Sequence, residues 1–139
     1  MLRYVKGARG ERELLGKFLE RGYSVIRSAG SGVNSISPDI AVIRKGKGLS
    51  FECKAWENGR VAIEKEKYAA LKNWQENTSM PTYIAWRMNG RGWFFIRLEE
   101  MEENEKSFSI TRKKTLEINR DFDFVAKENE GRGQVLPTA

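Results

Sequence analysis

A chain of 139 residues with 40% hydrophobic content has the size of a single domain with one real core, read here as residues 1–139. Histidine is absent and cysteine occurs once, which excludes His-dependent nucleophile schemes, disulfide frameworks and multi-cysteine zinc sites. The formal charge of +6 is uneven: residues 1–60 hold twelve Lys/Arg against six Asp/Glu, and residues 61–139 hold thirteen of each.

The first predicted element is a helix from about Ala8 to Arg21, stopped by Gly22. Leu14, Leu15 and Phe18 form its apolar stripe. Glu11 precedes them by three, four and seven residues and shares that stripe, where an acid needs a partner, while Glu13 points roughly opposite, toward solvent. Tyr23 to Arg27 reads as a strand, followed by a small, polar loop from Ser28 to Ser37. Ile40 to Ile43 and Leu49 to Ala55 read as two more strands, turning through Lys45-Gly46-Lys47-Gly48. A second helix is expected from about Ala62 to Asn77, on the spacing of Ile63, Ala70, Leu71 and Trp74. Thr82 to Arg87 and Trp93 to Arg97 are further strands joined at Asn89-Gly90-Arg91-Gly92. Glu99 to Glu105 reads as a solvated acidic face, and Phe108-Ser109-Ile110 as a short edge strand. From Arg120 the pattern degrades, so the core is placed at about residues 3–112, with residues 120–139 a flexible tail that holds Arg132 as a weak candidate for contact with DNA.

No apolar run nears the roughly 20 residues that span a bilayer, and the charged N-terminus lacks a signal-peptide pattern. A cytoplasmic protein without membrane contact is expected. No Gly-rich stretch continues into Gly-Lys-Ser/Thr, which excludes a P-loop.

The chemistry concentrates in Pro38-Asp39 and Glu52-Cys53-Lys54. Alternation on the second of the two motif strands projects Glu52 and Lys54 together, with Leu49, Phe51 and Cys53 toward a core. Cys53 is therefore read as packing. A hairpin brings Asp39, at the head of the preceding strand, close to Glu52. Two acids and a lysine converging in this way can hold a hard divalent cation and set a water against a phosphodiester. A solvated strand face carrying a cross-strand ion pair is the plain alternative. A basic surround of an acidic centre suits a polyanion gripped at its phosphates and cut between them.

The order of elements, helix, three strands, helix, two strands, with Glu11 on the first helix and Pro-Asp and Glu-x-Lys on the second and third strands, resembles the restriction-endonuclease-like nuclease core. That is an α/β fold, a central mixed sheet flanked by helices. Within it the chain looks like the archaeal Holliday junction resolvases. The residues that carry this are Lys6-Gly7-Ala8-Arg9-Gly10-Glu11-Arg12-Glu13-Leu14, Val25 to Ser31, Asp39, Glu52-Cys53-Lys54, Met80 to Ala85 and Gly92 to Ile96.

The resemblance covers about residues 3–98. It implies a structure-selective endonuclease that resolves four-way DNA junctions in recombination and repair. It further implies that Glu11, Asp39 and Glu52 bind magnesium, with manganese a plausible substitute, and that Lys54 stabilises the transition state or orients the attacking water. Ser31 fits the family's loop serine, required for cleavage, although the loop is longer than usual and Ser35 or Ser37 could take its place. Lys6, Arg9, Arg12, Arg27 and Ser31 fit DNA-contacting positions. The enzyme implied is a homodimer cutting paired strands, nucleoid-associated while bound to DNA. Trp74, Trp86, Trp93 and Phe95 serve either the dimer interface or ordinary burial. Recombination or replication partners are not readable. Two other readings stay open: a restriction or repair endonuclease on the same core, and a non-catalytic DNA-binding protein.

Overall fold

The computed structural model describes residues 2–28, 36–55 and 59–132, and of residues 2–9 only the backbone. Helix α1 (Leu2–Glu20) begins six residues before the expected start and stops where the sequence says it should. Tyr23 N–H reaches back to Phe18 O at 3.0 Å and Gly22 N–H to Leu19 O at 3.0 Å, with Gly22 at φ +88°. This is a Schellman stop, which requires a left-handed residue best supplied by glycine. Its usual apolar contact is the Phe18–Tyr23 ring pair, with centroids 4.9 Å apart. The stop reverses the chain into β1 (Ser24–Arg27), which returns alongside α1.

Strands β2 (Ile40–Arg44) and β3 (Lys47–Lys54) form the expected hairpin. Its two turn residues, Lys45 and Gly46, both have positive φ, 52° and 79°, the backbone twist that suits a tight antiparallel turn. After β3 the structure departs from the sequence reading. Arg60–Glu64 is a strand, β4, and helix α2 (Lys65–Thr78) starts only after it. Val61 and Ile63 are buried while Arg60, Ala62 and Glu64 are exposed, so the period is two and Ile63 belongs to the strand. Strands β5 (Thr82–Met88) and β6 (Gly92–Arg97) follow, then a 3-10 turn (Leu98–Glu100), β7 (Glu102–Glu103), β8 (Ser107–Thr111), α3 (Arg112–Ile118) and α4 (Phe122–Gly131).

The main sheet has the order β1-β2-β3-β5-β6, with β3 parallel to β5 and the other pairs antiparallel. A second sheet has the order β4-β8-β7, so the expected edge strand at residues 108–110 lies in its centre, and part of the acidic stretch is its third strand. One face of the main sheet packs Leu49, Phe51, Tyr83 and Phe95 against Leu14 and Phe18 of α1 and Val125 and Ala126 of α4. The other packs Ile84, Trp86 and Ile96 against Leu71 of α2 and Val61, Ile63 and Ile110 of the small sheet. Trp86, Trp93 and Phe95 are therefore core residues of the single chain, and ordinary burial accounts for them.

Residues 120–132 are likewise ordered rather than part of a tail. Asp121 caps α4 by accepting from Phe124 N–H at 2.9 Å. Glu130, near the end of α4, takes two hydrogen bonds from Arg21, at 2.6 and 2.8 Å, and one from Tyr23 Oη at 3.0 Å. Arg132 donates to Gly48 O at 3.0 Å. Residues 133–139 lie outside the described residues.

Candidate active site

Asp39 precedes β2, and the pairing of Ile40 with Phe51 sets it near Glu52 of β3. Its backbone carbonyl accepts from Ser28 N–H at 2.7 Å, which ties the end of β1 to the start of β2. Its Oδ2 accepts from Cys53 N–H at 2.8 Å, a charge-assisted bond that holds the carboxylate against β3.

The plain alternative of a solvated strand face does not hold for Glu52, because a mixed sheet with cover on both sides buries it to 7% exposure. Its Oε1 has no hydrogen-bond partner among the described residues. Among the described residues its ion-pair partner is Lys67 Nζ of α2 at 3.6 Å, beyond hydrogen-bond length. Burial, and after it the Asp39 charge, push the Glu52 carboxyl up to about 7, against the pull of Lys67 and Lys54. Lys54, two residues on, is half-buried at the end of β3.

Glu11 is half-buried on α1, and its Oε1 accepts from Arg27 Nε of β1 at 2.9 Å. It belongs to the same neighbourhood: burial first, then the charges of Asp39, Glu11 and Glu52, drive the Cys53 thiol well above its usual range. That high thiol suits the expected packing role for Cys53 and no nucleophile.

Glu13 is exposed, as expected, but it is not without partners. Its carboxylate accepts from Trp93 Nε1 at 2.8 Å and from Arg87 Nε at 3.1 Å, pinning α1 to β5 and β6. Burial opposes ionisation there, but the bonds from Arg87 and Trp93 outweigh it and hold the carboxyl low.

The remaining predicted residues divide by position. Arg12 is exposed on α1, and Arg27 is partly exposed and paired with Glu11. Lys6 and Arg9 lie in the helical backbone of α1, with their side chains outside the described residues. Ser31 and Ser35 also lie outside them. Ser37 is described: its Oγ donates to Ser28 Oγ at 3.5 Å, and its carbonyl accepts from Lys67 Nζ at 2.7 Å. Lys67 is the site residue that sequence reading missed. Its spacing to Leu71 and Trp74, i, i+4 and i+7, places it on the helix stripe that meets the sheet, and that was the available signal.

The set Glu11, Asp39 and Glu52 is all oxygen donors, which suits a hard divalent cation, and the orphaned Glu52 Oε1 leaves one donor open. Among the described residues, however, no three acidic or thiol side chains already converge as a cation cage.

The model of the archaeal Holliday junction resolvase (Hjc) family matches residues 2–130. This chain belongs to that family. Three crossover junction endodeoxyribonucleases named Hjc are similar to it. The protein from Methanocaldococcus jannaschii is 37% identical over 109 residues, covering 78% of this chain and 77% of the relative. Those from Sulfolobus acidocaldarius and Archaeoglobus fulgidus are 25% and 29% identical, covering 91% and 76% of this chain and 90% and 78% of theirs. The solved structure of the Archaeoglobus fulgidus resolvase superposes with a TM-score of 0.71 at 24% identity, covering 84% of this chain and 98% of that one. The fold is thus the expected α/β, restriction-endonuclease-like one. The chain is a Holliday junction resolvase, a metal-dependent nuclease that hydrolyses DNA at four-way junctions.

Proposed function

We propose that this resolvase uses Mg2+, with Mn2+ as a substitute, held by Glu11, Asp39 and Glu52, and that Lys54 completes the catalytic set. The observation that carries the assignment is the buried Glu52 carboxylate, with one oxygen left without a hydrogen bond beside Asp39. Lys67 at 3.6 Å offsets only part of the cost of burying that charge, and a divalent cation would offset more of it. When bound, the cation supplies charge compensation on the phosphate and an activated water. Lys54 adds a positive charge where negative charge develops during cleavage. Asp39, fixed by Cys53 N–H, and Glu52, fixed by burial in β3, keep two of the three donors in place before substrate arrives.

Lys6, Arg9, Arg12 and Arg27 grip phosphates, and the loop serine, Ser31 with Ser35 or Ser37 as alternatives, sits beside the scissile phosphate. Phosphate contacts carry no base information, so branch shape selects the substrate. Resolution requires two symmetry-related cuts, for which a two-fold homodimer is the natural tool. Ile26 and Ile43, exposed on one face of the β1–β2 pair, are consistent with such an interface. Its place of action is the cytoplasm, on nucleoid DNA.

The test is cleavage of a synthetic four-way junction beside a matched linear duplex, with Mg2+, Mn2+ or Ca2+, by the unmodified protein and by Asp39→Asn. Mg2+ and Mn2+ should support cutting of the junction alone, while Ca2+ supports binding without efficient turnover. Asp39→Asn should bind the junction and not cut it. Substantial cutting by purified Asp39→Asn protein would sink the metal assignment, and sedimentation as a monomer at assay concentration would sink the dimer.

A further inference from the structure

Two lysines flank Glu52, and the one outside the Glu-x-Lys motif is the closer described partner. Lys67 Nζ lies 3.6 Å from Glu52 Oε1 and 2.7 Å from the carbonyl of Ser37, which stands two residues before Asp39. Its side chain is 18% exposed and that of Glu52 9%. A lysine is seldom so buried without a partner. The helix that carries it is fixed four residues on by fully buried Leu71. Seven residues on, Trp74 Nε1 donates to Ser50 Oγ of β3 at 2.8 Å.

We propose that Lys67 is a positioning residue and the resident counter-cation of the nuclease site. In the metal-free protein its ammonium holds the Glu52 carboxylate and the chain leading into Asp39, and it competes with the divalent cation for the same negative charge. The proposal rests on the metal assignment above. It separates Lys67 from Lys54: Lys54 adds charge for the reaction, whereas Lys67 sets how tightly the site takes its cation. Two effects oppose each other when Lys67 is neutralised. Losing the tether to Ser37 loosens the site, and losing a buried positive charge beside a dication removes a repulsion. At separations of a few ångströms inside a protein the charge effect is the larger, so neutral variants should bind the cation more tightly. A purely structural Lys67 would give weaker binding or no change.

The experiment is calorimetric titration of Mn2+ and of Ca2+ into the full chain without DNA. It compares the unmodified protein with Lys67→Gln, Lys67→Met, Lys67→Arg and Asp39→Asn, each first checked for cooperative unfolding. Lys67→Gln and Lys67→Met should bind metal on the order of tenfold more tightly, and Lys67→Arg should match the unmodified protein. The Mg2+ concentration for half-maximal junction cleavage should fall in step. Either neutral variant suffices if the other does not fold. Unchanged or weaker metal binding in the folded neutral variants, with binding lost in Asp39→Asn, overturns the role of Lys67 and leaves the metal assignment intact. Metal binding that survives Asp39→Asn undiminished overturns the metal assignment, and the Lys67 proposal with it.

Discussion

Glu52 and Glu130 are both acids in covered positions, and the protein treats them in opposite ways. Glu130 receives two bonds from Arg21 and one from Tyr23, and the Arg21 bonds, against burial, hold its carboxyl low. Glu52 is more deeply buried, has an oxygen with no hydrogen bond and is pushed up to about 7. The first arrangement fastens α4 to the end of α1 and is complete as it stands. The second is short of positive charge, which makes Glu52 the candidate for a role beyond holding the fold. Completeness of partnering, rather than residue type, separates the structural acid from the proposed metal ligand.

The largest effects should come from breaking the incomplete side. Asp39→Asn or Glu11→Gln should lower the single-turnover cleavage rate at saturating junction by at least about a thousandfold, as loss of a metal ligand does, with junction affinity kept. Residual rates within tenfold of the unmodified enzyme would remove that residue from the metal set.

A second prediction concerns pH and sharpens the same contrast. Glu52 holds its proton up to about 7 in the folded protein, against an ordinary value of 4.5. The folded state therefore binds more protons between those values, and stability falls as pH rises through that window. In metal-free protein Glu52→Gln should be more stable than the unmodified chain at pH 8, by on the order of 1–3 kcal/mol. That advantage should vanish near pH 4. Urea titrations at the two pH values decide it, and a difference that does not change with pH would count against the buried, under-partnered Glu52.

On the complete side, Glu130→Gln should cost about 1–2 kcal/mol of stability, the worth of charge-assisted bonds at a partly covered site. Cleavage at saturating metal and junction should be retained. A loss of cleavage without a loss of stability would mean that α4 takes part in the chemistry.

The smallest effect should come from Glu13→Gln. It weakens the clasp on Arg87 while a donor-to-oxygen contact with Trp93 can survive, so a cost of about 1 kcal/mol or less is expected, with cleavage close to normal. Glu11 and Glu13 thus form a pair on one helix, the first for activity and the second for stability. Equal losses of cleavage at both positions would reverse that division.

Much of the site was legible because it is written in local patterns. Period-two alternation in Leu49 to Ala55, the glycine turn before it and Pro38-Asp39 ahead of an apolar run fix a hairpin, and the hairpin brings Asp39 to Glu52. Gly22 announced the end of α1, since a left-handed stop at that position calls for glycine. The helix period put Glu11 near the core. Tertiary packing decided the rest. Whether the Glu52 face of β3 is wet or buried depends on α2 and the second sheet, which reach it from later in the chain, and no pattern within β3 reports that cover. Ile63 fits a helix stripe and a strand equally well over so short a run, and pairing of β4 with β8 resolves it. Glu13 finds Trp93 eighty residues away, Glu130 finds Arg21 across 109, and Lys67 reaches Glu52 and Ser37 from a third element. The sequence alone determined which candidate residues the β2–β3 hairpin brings together, because their strand and turn signals are local. Only the tertiary structure decided which acids are fully partnered and which one keeps an oxygen without a hydrogen bond, because hydrogen-bond and charge partners are assigned by long-range packing.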